Sequence, residues 1–162
     1  MKKKKYISFF IFLFTCFVSC NNDETCRKDR FVTMNVKFYQ DTISVNTGDT
    51  VTQSLSVDSL TIYGLGVDSI LYKNKKKVSS VQLPLNLFAG ESSFVLICND
   101  TYDTLTVRHT NKNKFLSLEC GNIRVHHIDS AIATGHFFPR ATIINPDVNT
   151  DDETNIQLHN IK

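Results

Sequence analysis

Histidine and cysteine are the side chains of this sequence that could carry chemistry, and it has five of each. His126 and His127 adjoin, and Asp129 follows two residues later, which suggests a metal-ion site. In a strand, however, neighbouring side chains point to opposite faces, so these two histidines cannot bind one ion without a bulge. A metal site needs several converging ligands. We therefore expect no metal, and structural or solvent-facing roles for these residues, His109 and His136.

Cys120 precedes the histidine pair and suggests a cysteine nucleophile. It also continues the alternation of Leu116 and Leu118, which predicts an inward thiol or a disulfide. Reactive thiols need an electropositive and partly exposed setting. The chain contains neither a GxSxG motif nor a phosphate-binding glycine loop, and Gly64-Leu65-Gly66 is typical of a bend. We therefore predict no catalytic residue, no cofactor and no enzymatic activity.

Two charged segments allow a binding function. Lys73 and Lys75 to Lys77 could contact anionic lipid or acidic glycan, although lysines also protect an exposed sheet edge, and we favour that interpretation. Residues 147–153 are acidic but lack the glycine and spacing of a calcium loop, which favours a polar connector. The chain has no tryptophan. Because the tyrosines are also scattered, the sequence disfavours a glycan platform, which stays open as an alternative.

The elements that must position these residues are strands. In FVTMNVKFY, Val32, Met34, Val36 and Phe38 fall on one face, as in a half-buried strand. Further strands are predicted at 60–65, 69–73, 78–87, 93–98, 104–109, 114–120, 123–128, 140–145 and 155–161. No amphipathic helix is evident. The fold class predicted is all-β, a single antiparallel immunoglobulin-like β-sandwich.

Local signals add detail to this prediction. Asn74-Lys75 could turn a hairpin, and Asn99-Asp100 and residues 111–113 have similar turn chemistry. Pro84 predicts an edge or bulged strand, since proline cannot donate to a ladder. The apolar run from Phe94 to Ile97 predicts a central strand that is covered on both faces.

The N-terminal segment, MKKKKYISFFIFLFTCFVSC, resembles a bacterial lipoprotein signal peptide. Lys2 to Lys5 precede an apolar stretch that is shorter than the roughly 20 residues of a spanning helix. Phe17 replaces the usual leucine of the cleavage motif, while Val18, Ser19 and Cys20 fit it. Cys16 is the rival site. We predict that Cys20 carries diacylglycerol and a fatty acid such as palmitate, which together anchor the protein in a membrane.

The predicted organisation is a signal peptide at 1–19, a polar tether at 20–30 and a β-sandwich domain at 31–162. Removing the four leader lysines from the 18 basic side chains leaves 14 against 16 acidic ones, a formal charge of −2. This balance does not suggest nucleic acid as a partner.

Three cysteines remain once Cys16 is discarded and Cys20 is lipidated. One disulfide and one buried thiol is the simplest arrangement in an oxidising compartment. Cys98 ends the most apolar strand, where a thiol packs as a small hydrophobe. We predict a Cys26–Cys120 disulfide, with a Cys98–Cys120 bond as the competitor.

Several segments carry a family resemblance, and they cover nearly the whole mature chain: the leader with Cys20, NNDETCRKDR, MNVKFY, LTIYGLGVDSILYKN, DTLTVRHT and LSLECGNIRVHHID. Together they resemble a family of small uncharacterised lipoproteins from Bacteroides-type bacteria. The resemblance implies a β-sandwich without an assigned activity. It also implies a second cysteine at the position of Asn122, which this chain lacks. Asn21 to Glu24 resemble a surface-export signal of that group.

The expected function is a non-enzymatic binding or accessory component of the cell envelope, anchored at the outer membrane and slightly favoured on the cell surface. An envelope protein is a possible partner. The alternative is a structural subunit of a fimbria-like polymer, in which Val32 to Phe38 would be the removable strand. A hydrolase is a more distant rival.

Overall fold

The computed structural model describes residues 32–44, 48–118 and 120–162. These ranges form strands and contain no helix, which confirms the all-β class. The strands are β1 (Met34–Ile43), β2 (Thr50–Ser54), β3 (Leu60–Gly64), β4 (Ile70–Lys75), β5 (Ser80–Leu83), β6 (Glu91–Cys98), β7 (Thr101–Ser117), β8 (Gly121–Ala133), β9 (Arg140–Ile143), β10 (Asp147–Val148) and β11 (Ile156–Ile161). The predicted leader, its cleavage site and the tether lie outside the described residues.

Two sheets pack face to face, as predicted for a sandwich. The first has the order β2-β1-β11-β9, with β5 also paired to β1, and the second has the order β10-β8-β7-β6-β3-β4. The pairing is not antiparallel throughout, because β1 and β11 run parallel with Val36 opposite Ile156. A parallel pair needs a long crossover, and almost the whole domain lies between these two strands.

The alternation in β1 places its apolar residues in the core. Met34, Val36 and Phe38 are fully buried, whereas Lys37 is exposed. The ring of Phe38 stacks on that of Phe138 from the other end of the domain sequence, with 5.1 Å between centroids. Burial of each such side chain contributes about 1.5–3 kcal/mol, so this one strand anchors much of the first sheet.

The apolar β6 lies between β3 and β7, which confirms a central strand. Phe94, Leu96 and Cys98 are buried in the core between the sheets. On the outer face Val95 is buried and Ile97 is half-buried. The predicted burial of the outer face is therefore complete at Val95 and partial at Ile97.

The turn predicted at residues 111–113 is wrong. β7 continues through them, and the β7–β8 register pairs Asn111 with His126 and Asn113 with Arg124. The cross-strand ladder outweighs the local turn preference of asparagine, which is weak on its own. The chain reverses only after Ser117.

The hairpin predicted at Asn74-Lys75 is also wrong, because β4 and β5 belong to different sheets. The chain does bend there, with Asn74 and Lys77 in the left-handed region at φ 46° and 54°. A bridge between Val57 and Val78 marks the crossing between the sheets. β5 then pairs with β1 alone and stops before Pro84, which confirms the predicted edge strand.

Two strands were missed by the sequence reasoning. β2 is exposed along its whole length and has no apolar alternation to signal it. β10 consists of only two residues. β2 forms by pairing with β1 and buries no face of its own, whereas β10 is too short for a pattern, although its Val148 is buried in the core.

The sandwich has two distinct ends. At the first, which we call the hairpin end, lie the start of β1, the β3–β4 turn, the loop 84–90 and the β7–β8 turn. The amide of His109 donates to the carbonyl of Gly90 at 2.9 Å, which joins the loop to β7. At the opposite end lie the β6–β7 turn at Asn99-Asp100, the loop 134–138 and the lysine cluster.

Candidate functional site

A buried polar network joins β6, β7 and β8 near the hairpin end. The Ser92 hydroxyl lies 2.9 Å from Nε2 of His109, and Nδ1 of His109 lies 2.8 Å from Oδ1 of Asn111. That same oxygen lies 2.7 Å from Nδ1 of His126. Register puts Asn111 directly opposite His126, and the period of two puts His109 on the same face as Asn111.

The donors and acceptors of this network follow from Asn111. Its Nδ2 donates to the carbonyls of Asn86 and Ala89 at 3.1 and 2.9 Å, so its Oδ1 must face the two imidazoles. An amide oxygen only accepts, so both histidines donate from Nδ1. Nε2 of His109 then accepts the hydrogen of the Ser92 hydroxyl.

Ser92, His109 and Asn111 thus reproduce the order of a nucleophile, a base and an orienting group. The geometry alone would suit acyl transfer. However, His109 is 2% exposed and Ser92 is 9% exposed, and the serine oxygen also accepts the Asn86 amide at 2.8 Å. The hydroxyl is therefore shielded from solvent, and the hydrogen bonds of the trio hold the loop 84–90 against β7.

His126 is the member of the network whose hydrogen bonding is incomplete. Its Nε2 is buried without a hydrogen-bond partner. Burial, followed by the neighbouring His109 and Arg124, lowers the pKa of His126 to about 4. The ring is therefore neutral at physiological pH, and it packs edge-on against His109 with centroids 5.1 Å apart.

The other histidines lie apart. His127 faces away from His126, as predicted, and its Nδ1 lies 2.7 Å from the exposed carboxylate of Asp147. His136 lies 3.4 Å from Asp103 at the opposite end. Within the described ranges, no three histidine, cysteine or acidic side chains converge as metal ligands.

Asp41 is the centre of a second polar cluster, on the outer face of the first sheet. It accepts hydrogen bonds from Thr52 at 2.7 Å and from Arg140, and Nδ1 of His159 lies 3.1 Å from it. Burial alone would raise the pKa of Asp41, but these hydrogen bonds and the charges of His159 and Arg140 lower it overall. The row crosses β2, β1, β11 and β9 and so ties four strands together.

Asp103 closes the loop 134–138. Its carboxylate accepts the Thr134 hydroxyl and the backbone amides of His136, Phe137 and Phe138, at 2.6–2.8 Å. Burial would raise the pKa of Asp103, and these four donors lower it overall. Both aspartates are thus occupied by the fold and not presented to a ligand.

An open polar groove of about 390 Å³ lies beside β1 and β5. Asn35 and Lys37 line one side, Tyr72 and Gln82 another, and the segment 152–154 a third. Asn35 is held by its Nδ2, which donates to Asp152 at 3.0 Å. The groove presents Lys37, the acidic side chains of Asp152 and Glu153, and Gln82 to a ligand. The sequence reasoning did not foresee it, because its walls come from distant segments.

The positions of the lysine cluster and of the acidic segment agree with a sheet edge and a polar connector, although the lysines do not form the tip of a hairpin. Lys73 and Lys75 are exposed on β4, the edge strand of the second sheet. The acidic segment begins as β10 and then connects to β11 without forming a further strand. In the part of the chain that is described, no helix is long and apolar enough to cross a membrane.

Cys98 is a free, buried thiol, as predicted. Burial, followed by nearby Asp103, raises the pKa of this thiol to about 12, so it is not a nucleophile. Cys120 is disulfide-bonded. Cys20 and Cys26 lie outside the described residues, so lipidation and the Cys26–Cys120 pairing stay predictions.

Comparison with known proteins identifies a family. Neither the curated proteins nor the solved structures contain one that is similar to this chain. The model of a family of unknown function, DUF6452, matches residues 59–160, from the residue before β3 to the last strand. Because this match covers well over half of the sequence, the chain belongs to the DUF6452 family of unknown function.

Proposed function

We propose that this protein is a non-enzymatic lipoprotein of the cell envelope, anchored at the outer membrane through Cys20, and that its sandwich binds a partner or ligand. The observation that best supports the absence of catalysis in this proposal is the burial of Ser92 and His109. These two described side chains are arranged like a nucleophile and its base. Among the described residues, these two side chains hold the loop 84–90 against β7 together with Asn111, a structural role that suits a binding protein better than an enzyme.

The leader supports the anchoring part of the proposal. Val18-Ser19-Cys20 precedes an abrupt polar segment, and one lipid chain alone would give only marginal binding. Diacylglycerol plus a fatty acid on Cys20 would supply the two or more chains that stable anchoring needs. The export-like Asn21 to Glu24 favour the outer, cell-surface side.

Metabolic labelling with palmitate tests the anchor. The native chain should be labelled and should fractionate with membranes, whereas Cys20→Ser should be unlabelled and unprocessed or soluble. Cys16→Ser is the matched control and should behave as the native chain. Labelling that survives Cys20→Ser and disappears in Cys16→Ser would place the lipid on the rival cysteine.

The polar groove is the surface on which we expect binding. A photo-crosslinking amino acid at Lys37, which lines the groove, should form a defined covalent adduct in intact cells. The same amino acid at Thr42, which is exposed on the same strand, is the control. Equal adducts from both positions would argue against the groove.

A fimbria-like subunit is the second candidate, and the position of β1 favours it. β1 lies inside the first sheet, between β11 on one side and β2 and β5 on the other. Its removal would leave a slot that a strand from another subunit could fill. Detergent-resistant, concentration-dependent ladders would support this candidate, and a single band under all conditions would remove it.

A further inference from the structure

The polar groove beside β1 and β5 is lined by side chains that the fold already holds in place. Nδ2 of Asn35 donates to Asp152 and to the carbonyl of Glu153, both at 3.0 Å, and the Asn35 amide donates to Asn155 at 2.9 Å. The carboxylate of Glu153 accepts a hydrogen bond from Asn145 at 2.6 Å. These contacts orient the groups before a ligand arrives, which lowers the entropy cost of binding.

The same groups keep oxygens that a ligand could use. Among the described residues, no hydrogen bond reaches Oδ1 of Asn35, Oδ2 of Asp152 or Oε1 of Glu153. Lys37 and Ser80 line the groove with an exposed ammonium and an exposed hydroxyl. The groove therefore combines acceptors with donors, which suits a ligand whose groups both donate and accept, as hydroxyls do.

Tyr72 adds an aromatic surface to these polar groups. It is half-buried, packs against the hydrophobic core and lines the groove. Its hydroxyl donates its one hydrogen to the Gln82 carbonyl at 3.3 Å and accepts the Gln82 amide at 2.9 Å. The ring is thereby fixed in orientation, and it is the main part of Tyr72 that is left for a ligand.

The lining is poorly suited to two other classes of ligand. It contains one cation, Lys37, and two carboxylates, Asp152 and Glu153, so phosphate or another anion would meet like charges. A peptide strand would have to pair with the edge of β5, but Tyr72 already satisfies the amide and the carbonyl of Gln82 there. A ligand with an apolar ring face and a polar, uncharged rim fits the groups that remain.

We propose that the polar groove binds a saccharide that is neutral or carries an amine. A pyranose ring lies on Tyr72, and its hydroxyls bond Lys37 and the available oxygens of Asn35 and Asp152. This inference rests on the proposed binding function of the groove and names its ligand class. The groove volume of about 390 Å³ lies in the range of small-ligand sites. Acidic saccharides are rejected, because their carboxylates would meet those of Asp152 and Glu153.

An array of defined oligosaccharides with neutral, amine-bearing and acidic members tests this inference. The full chain is purified in a detergent without a sugar head group, and the saccharides that bind on the array are then titrated by calorimetry. We expect neutral or amine-bearing members to bind and acidic members of matched size to stay unbound.

Variants then locate the bound saccharide. Tyr72→Leu removes the ring and should weaken binding about ten-fold, whereas Tyr72→Phe keeps the ring and should retain most of the affinity. Lys37→Met removes an exposed ammonium, so it should weaken binding while the domain stays folded by circular dichroism. Tyr102→Leu removes an exposed ring at the opposite end and is the control, which should bind as the native chain does.

Several outcomes would overturn the saccharide. They are binding that persists in both Tyr72→Leu and Lys37→Met, a preference for acidic members, and a native chain that binds no member of the array. If no member binds, a defined adduct from the crosslinker at Lys37 would still support the groove as a binding surface for another class of ligand. Loss of that adduct as well would overturn both proposals for the groove.

Discussion

Asn111 is the residue on which most of the polar core depends. Its amide group makes four hydrogen bonds, to two imidazoles and to two carbonyls of the loop 84–90. An alanine at this position would leave the Nδ1 donors of His109 and His126 without their acceptor, although both imidazoles are buried. Unsatisfied buried donors cost more free energy than a made hydrogen bond gains.

We expect Asn111→Ala to lower the free energy of unfolding by about 2–4 kcal/mol. Urea denaturation of the purified protein measures this. Asn113→Ala is the control, because Asn113 is exposed and its side chain accepts a hydrogen bond from exposed Arg124 on the neighbouring strand, so its effect should stay within about 0.5 kcal/mol. Equal stabilities for the two variants would contradict the assigned role of Asn111.

His126 should make the stability of the domain depend on pH. Its pKa is lowered to about 4 in the folded protein from an ordinary value of 6.5, so the unfolded chain binds the proton more tightly. The stabilisation is therefore complete above pH 6.5 and is lost as pH falls towards 4. The loss is at most about 3 kcal/mol over this range.

Urea denaturation at about pH 7.5 and about pH 5, on either side of the ordinary histidine pKa, tests this. The difference between the two pH values should shrink in His126→Leu and stay as in the native chain in His127→Gln, whose ring is at the surface. An unchanged difference in His126→Leu would show that a group other than His126 titrates between these two pH values.

At the scale of elements, the short edge strand β5 is protected by a side chain from the other sheet. The hydroxyl of Tyr72 on β4 accepts the Gln82 amide at 2.9 Å and donates to the Gln82 carbonyl at 3.3 Å. A single hydroxyl thus satisfies both free backbone groups of this residue. Unprotected edges are sites of unwanted pairing, so the contact also keeps β5 from recruiting another strand.

Tyr72→Phe should lower the free energy of unfolding by about 1 kcal/mol and speed the exchange of the Gln82 amide hydrogen. Thermal unfolding and hydrogen exchange measure the two effects. Tyr102→Phe removes a hydroxyl from an exposed ring and should change neither quantity. Slow exchange at Gln82 in Tyr72→Phe would mean that another group protects the edge.

At the scale of the whole molecule, the predicted Cys26–Cys120 bond would fasten the tether to the β7–β8 turn. Cys120 is disulfide-bonded and Cys98 is free, so the competing Cys98–Cys120 bond is not formed in this structure. The bond would close a loop of roughly 90 residues and contribute about 4 kcal/mol in the chain-entropy model.

Peptide mapping without reduction should recover a peptide that joins Cys26 to Cys120. Cys98 should react with an alkylating agent only after unfolding, because it is fully buried. A peptide that joins Cys98 to Cys120, or three cysteines that react before reduction, would disprove the pairing.

The candidate site was only partly accessible to sequence reasoning. Leu105, Val107, His109 and Asn111 follow one another at every second residue, which is the signal that His109 and Asn111 share an inward face. That signal could have been used. The contact between Asn111 and His126 could not have been predicted in this way, because it depends on the β7–β8 register. A bulge after Arg108 also shifts that register.

The sequence by itself determined what depends on neighbouring residues. Period-two alternation identified β1, the continuous apolar run identified β6 as central, and Cys98 at its end identified a buried thiol. These properties follow from which face of a strand avoids water, and that is written in the local order of apolar and polar residues.

Tertiary structure alone decided which strands pair. It placed β4 and β5 in different sheets, aligned β1 parallel to β11, and carried β7 straight through the asparagines at 111 and 113. It also built the polar groove from residues that are more than 100 positions apart. The physical reason is that a strand gains its hydrogen bonds and much of its buried surface from a partner distant in sequence, so its own residues do not name that partner.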